Sequence, residues 1–171
     1  MSEAGASWTW SARALGPFAW NTPFSTDAIA PHLPGYSLAE TDAGGDNPGS
    51  RLIAATPPEA TEPTLFFLGH RDTPCLVAVR VRETGRIANA WYVGSRFADT
   101  LLRIEDCFHA HDVPGRESDI FCRQAGEPDG PVYWFRTGRS DAGAPPGEAA
   151  IRDSVLYEIS WVPCPPPSPG E

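Results

Sequence analysis

Short apolar runs set between polar, turn-rich segments dominate the chain, and they predict strands rather than long helices. Residues 51–55, 64–69, 75–82 and 86–93 read as strands, separated by the turn clusters "DAGGDNPGS" at 42–50 and "PPEATEP" at 57–63. The stretch "CLVAVRVRETGRIANAWYV" reads as a hairpin turning at 83–85. Further on, "CFHAH" and "DIFCRQ" pair across the turn "DVPGRES". "PVYWFRTG" follows as an aromatic strand, and "SVLYEISWV" at 154–162 closes the sheet after a Gly/Pro loop over about 138–147. Helical signals occur twice. Ser25 or Thr26 caps a helix of one to two turns that Pro34 and Gly35 stop, and Ser95 caps the best helix, with Phe97, Leu101 and Leu102 or Ile104 on one face.

These elements predict an α+β fold: a single domain on a mainly antiparallel sheet with one or two short helices. Residues 1–20 read as an N-terminal arm laid on the domain, because Trp8, Trp10 and Trp20 show no helical period. Residues 21–164 form the globular domain, and 165–171 are a flexible Pro-rich tail. Tyr133, Trp134 and Phe135 are consecutive, so both faces of their strand are aromatic and at least one must be covered.

Composition narrows the partners. A chain of 171 residues with 41% hydrophobic and 20% charged residues is globular. Its net charge of -9 offers no basic stripe for nucleic acid or anionic lipid. All thirteen basic residues are Arg, which reads as codon bias in a GC-rich genome, with a functional Arg cluster as the alternative. "MSEAGASWTW" shows no signal peptide and no window is long enough to span a membrane, so a soluble chain is expected, although loss of a leader ahead of Met1 would leave the same sequence.

The richest chemistry lies in "IEDCFHAHDVPGRESDIFC". On a strand, Cys107, His109 and His111 share one face, and with Cys122 opposite they supply the sulfur and nitrogen ligands that zinc prefers. The simpler reading is a cystine between Cys107 and Cys122, closing a loop worth about 3 kcal/mol. Cys75 and Cys164 stand near the ends of two strands and form a second cystine if those strands are neighbours. None of the four cysteines lies in a CxxC motif. His70 and Asp72 offer an acid–base pair in what otherwise reads as a turn, and Ser50, Ser95 and Ser118 lack the context of a nucleophile elbow. Asp99, Glu105 and Asp106 read as the wet face of the second helix. The six Trp residues read mainly as core, with a ligand groove as the alternative.

From about 24 to 163 the chain resembles the bacterial sigma-E-regulated (RpoE-regulated) lipoprotein family, an envelope domain of unknown function. The likeness rests on "FSTDAIAPHLPGY", "VGSRFADTL", the "DCFHA…DIFC" cysteine pair, "VYWFRTG" and "LYEISWVP", in that order along the domain. The resemblance implies that the family's two cysteines fall on Cys107 and Cys122, which supports a cystine and an oxidising compartment. It supplies no counterpart to His109 and His111. The loop before the last helical turn departs from the family as "RSDAGAPPGEAA", Cys75 and Cys164 are additional, and residues 1–7 hold no cysteine to acylate.

The expected function is therefore a non-catalytic cell-envelope domain, periplasmic or lipoprotein-like, that binds an envelope protein, a wall component or a small apolar ligand through an aromatic sheet face or a loop. It needs no cofactor and no metal. Nucleic acid is not an expected partner, and membrane association is expected only through an N-terminal lipid anchor lost from the chain. Reduced cysteines would instead place it in the cytoplasm. The alternative is a hydrolase or zinc protein using His109, His111 or His70 with nearby carboxylates.

Overall fold

The computed structural model describes residues 7–43, 48–138 and 144–163. Along the described chain run β1 (Ala14–Leu15), β2 (Phe18–Ala19), helix α1 (Thr26–Ile29), β3 (Ser37–Asp42), β4 (Ser50–Thr56), β5 (Leu65–His70) and β6 (Thr73–Val81). After a long irregular connection come β7 (Cys107–His109), β8 (Ile120–Cys122), β9 (Val132–Arg136), helix α2 (Glu148–Asp153) and β10 (Val155–Trp161). The main sheet has the order β3-β4-β5-β6-β10-β9-β8-β7, and every neighbouring pair in it is antiparallel. It is two four-stranded meanders joined where β10 lies against β6, with Ile159 opposite Val81. The result is a single domain that is mostly antiparallel sheet, with β1 and β2 as a separate small hairpin.

Alternation along the strands separates two faces. On the core face the register sets Leu65 against Val81 and Phe67 against Val79, all fully buried. Ile29 of α1, Ile151 of α2, and Leu15 and Phe18 of the hairpin join the same cluster. Phe18 meets Phe67 edge-on at 4.9 Å, and Phe97 meets Phe135 at 5.3 Å. Both helices and the N-terminal segment therefore cover the same side of the sheet. Gly69 is required there, since a Cβ on it would collide with the ring of Phe24.

Helix α1 forms as expected behind Ser25, whose side chain accepts from the Ala28 amide at 3.1 Å, and it tightens into a 3-10 turn at Ala30–His32. The structure departs from the expected elements in several places. The helix behind Ser95 is instead two 3-10 turns, Phe97–Asp99 and Ile104–Asp106. Thr100 breaks it: its hydroxyl donates back to the Phe97 carbonyl at 2.7 Å and accepts from the Leu102 amide at 3.3 Å, holding an extended backbone between the turns. Residues 86–93 are no strand. Their backbone is occupied by the N-terminal segment, where Trp8 donates to the Arg86 carbonyl and accepts from the Ala88 amide, each at 2.7 Å. The hairpin in this part of the sheet is β5–β6, turning at 71–72. Finally, β3 adds an edge strand where no strand was expected, and the turn before β10 lengthens into α2.

Candidate functional site

The pleat that buries Leu65 and Phe67 turns Phe66 and Leu68 outward, onto a face that neither α1, α2 nor the small hairpin covers. Register alone assembles a row of side chains there. Phe108 on β7 lies opposite Phe121 on β8, which lies opposite Trp134 on β9, which lies opposite Glu158 on β10. One step along β10, Ser160 lies opposite Arg80 on β6, and Arg80 opposite Phe66 on β5. Phe121 stacks on Phe108 at 5.5 Å and tilts against Trp134 at 5.0 Å.

Glu158 sits at the centre and is 0% exposed. A carboxyl group so far from water needs partners, and arginines supply them. Arg82 Nε donates to Oε2 at 2.8 Å, Arg116 Nη2 donates to Oε1 at 2.8 Å, and Arg80 Nε stands 3.8 Å from Oε1. Ser160 Oγ reaches Oε1 at 3.4 Å and itself accepts from Trp134 Nε1 at 3.1 Å. The register shift between Leu156 and Glu158 leaves Tyr157 as an extra residue, and its ring lies beside the arginines rather than in the core. The Arg136 guanidinium lies 4.3 Å from that ring, Arg116 5.7 Å and Arg82 6.0 Å. Arg116 also covers Trp134 at 4.3 Å, and Arg82 covers Phe66 at 4.8 Å.

The electrostatics follow from crowding. Tyr157 donates to Asp119 Oδ2 at 2.8 Å, and its phenol is pushed above the usual range first by burial, with Arg116 opposing and Asp119 adding to the shift. Arg80 is held below the ordinary guanidinium value by burial, with repulsion from Arg116 and Arg82 adding to it and Glu158 opposing. Nη1 of Arg116 is buried with no hydrogen-bond partner. Arg80, Arg82, Arg116 and Arg136 thus meet two carboxyl groups, Glu158 and Asp119, on one face of an acidic chain. Four of the chain's thirteen arginines are therefore gathered on this face.

A concavity lies apart from this face, between the two 3-10 turns and α2. It is an open groove of about 570 Å³ with Phe97, Leu102 and Ile104 as its floor. Its rim is already paired, Arg103 with Asp106 and Arg152 with Glu148. Leu101 beside it is 83% exposed.

The candidate residues read from the sequence are mostly spent in structure. Cys107 and Cys122 are register partners on β7 and β8 and are joined as a disulfide. That bond removes both thiolates from the alternative zinc set, and no group of three His, Cys, Asp or Glu among the described residues is arranged to hold a metal. His109 Nε2 lies 2.7 Å from the Glu117 carbonyl, and its ring is 5.5 Å from that of His111. His70 Nδ1 accepts from the Asp72 amide at 3.2 Å, which leaves Nε2 as the donor to the Pro48 carbonyl at 3.3 Å. The Asp72 carboxylate stands 3.5 Å from Nδ1, and the pair sits on the turn that joins β5 to β6. Ser95 joins the backbone of β10 through its carbonyl, and Ser118 accepts from Thr137 through its own. Asp106 and Glu105 serve Arg103, and Asp106 is held below the usual carboxyl range first by its hydrogen bond from that arginine. Cys75 is a free, half-buried thiol, and Cys164 lies outside the described residues. Trp8 and Trp161 are core, whereas Trp134 belongs to the outer row.

No family model and no curated protein matches the chain. Among solved structures it is similar to the crystal structure of the uncharacterized protein yfeY from Escherichia coli, at 18% identity and a TM-score of 0.72, over 90% of this chain and 99% of that one. At this identity the likeness shows a shared fold.

Proposed function

We propose that the chain is a non-catalytic binding domain of the bacterial cell envelope, engaging an envelope protein, a wall component or a small ligand through the outer face of its sheet. The observation that carries this reading is that face itself, where aromatic rings and guanidinium groups are gathered with neither described helix on them. Of the three histidines that would serve acid–base chemistry, His70 and His109 are engaged by backbone groups, and His111 lies beside the His109 ring. The Cys107–Cys122 disulfide favours an oxidising compartment, and the sequence resemblance to the sigma-E-regulated lipoproteins points to the same place.

Site-specific photocrosslinking in cells tests it. A benzophenone side chain at Phe108, which is 57% exposed at the end of the outer row, is expected to give a discrete adduct in the envelope fraction. The same probe at Leu101, beside the groove, is expected to give none. Adducts from Leu101 alone would move the binding surface to the groove, and freely alkylated Cys107 and Cys122 in intact cells would defeat the envelope assignment.

A further inference from the structure

We propose that the guanidinium cluster around Tyr157 holds the phosphate dianion of a small ligand whose flat or apolar part extends toward Phe121, beside the Trp134 ring that Arg116 covers. The proposal rests on the outer face being the binding surface and adds the chemistry of what binds there. Four guanidinium groups, those of Arg80, Arg82, Arg116 and Arg136, surround one phenol and one buried carboxyl group. Asp119 is the second carboxyl group nearby, and it is occupied by the Tyr157 hydroxyl. The cluster therefore carries two more cations than carboxyl groups, in a chain whose net charge is -9. Leaving like charges packed this closely is unfavourable, and a doubly charged anion relieves it.

Donor inventory points the same way. Arg82 uses Nε on Glu158, which leaves its two terminal nitrogens without a hydrogen bond among the described residues. The Arg80 side chain stands 3.8 Å from Glu158 and makes no hydrogen bond among the described residues, and Arg136 makes no ion pair among them. The side chains of Arg80 and Arg82 are 39% and 41% exposed, so their unused donors are reachable from solvent. Glu158 and the aromatic rings hold the forks in place before any ligand arrives, so little side-chain entropy is lost on binding. The extension toward Trp134, Phe121 and Phe108 supplies an aromatic platform adjoining the cationic centre. An acidic surround that repels anions elsewhere sharpens the preference for this patch.

Phenyl phosphate is the probe, with inorganic phosphate and benzoate as comparison ligands, titrated by calorimetry and by tryptophan fluorescence on the oxidised protein. Phenyl phosphate is expected to saturate and to bind more tightly than inorganic phosphate, which lacks the ring, and than benzoate, which lacks the second charge. Arg136→Gln and Arg80→Gln leave both short bonds to Glu158 intact, and each is expected to weaken phenyl phosphate about tenfold, the loss of one charge-assisted contact. Arg152→Gln, at the groove, is expected to change nothing. Benzoate binding as tightly as phenyl phosphate would overturn the preference for a dianion. Phenyl phosphate binding that survives both outer-face substitutions would place the site elsewhere. If phenyl phosphate does not bind while the Phe108 probe still gives its adduct, the ligand class is wrong and the binding face stands; if both fail, both readings fall.

Discussion

The two faces of one sheet are built from alternate residues of the same strands, yet they solve different problems. On β5, Phe67 is fully buried against Val79 and Phe18, whereas its neighbour Phe66 lies under the guanidinium of Arg82. On β10, Ile159 enters the core while Glu158 gathers arginines. The core face holds the fold together by removing apolar area from water. The outer face buries one carboxyl group among several cations, an arrangement that rarely gains stability over apolar packing of similar volume. A costly arrangement on one face, with apolar packing on the other, is what binding surfaces are expected to look like.

The sharpest way to break that comparison is to truncate the two phenylalanines in turn. Phe67→Ala leaves a cavity in the core cluster and is expected to cost about 4 kcal/mol in denaturant unfolding. Phe66→Ala is expected to cost about 1 kcal/mol, because its partner is a cation open to water. Equal losses would show that the outer face is a second core. The same contrast exists at the sheet edge. Replacing Cys107 and Cys122 together with Ala is expected to cost about 3 kcal/mol by freeing a loop whose ends are 15 residues apart. Phe108→Ala, on the outer side of the same strand, is expected to change stability by no more than about 0.5 kcal/mol.

Glu158→Gln reaches the outer face directly. Arg80 and Arg82 are exposed enough to recover hydration once the charge is removed, but Arg116 is 12% exposed and does not. The expected loss is therefore about 2 kcal/mol, below the full penalty for orphaning a buried charge. Added phosphate should recover part of it. A Glu158→Gln protein as stable as the parent would mean that the arginines are not under mutual strain, and the case for an anion would weaken with it.

Much of this architecture was legible because strands announce themselves by short apolar runs bounded by turn residues. The segments that became β4, β5, β6, β9 and β10 are such runs, and the hairpin that joins Cys107 to Cys122 was marked by its turn. The polar edge strand β3, "SLAETD", was not legible, since a strand exposed on both sides has no apolar period to show. Residues 86–93 misled for the opposite reason: Ile87 is buried by Trp8 rather than by sheet neighbours. The outer cluster was hidden by distance in sequence, because Arg80, Arg116, Arg136 and Glu158 meet only once β10 lies between β6 and β9. Two signals were nevertheless present. Arg80 and Arg82 recur at strand spacing in "AVRVR", and Glu158 is a lone acid inside the apolar run "LYEISW".

The smallest expected effect separates the two faces by titration. Tyr133 lies on the core face and is pushed up to about 12 chiefly by burial. Tyr157, on the outer face, is also raised chiefly by burial, but Asp119 adds to its shift through a hydrogen bond and its charge. Both phenols have folded-state values above their unfolded ones. Each therefore contributes stability that is fully present below about pH 10 and is lost as the pH rises through the folded value. Asp119→Asn removes the charge beside Tyr157 and keeps an oxygen to accept its hydrogen bond. In a phenolate absorbance titration that substitution is expected to move one phenol downward and to leave in place the transition near pH 12, to which Tyr133 and Tyr36 both contribute. Two transitions shifting together would indicate that the Asp119→Asn change has loosened the sheet as a whole, and the independence of the two faces would be lost.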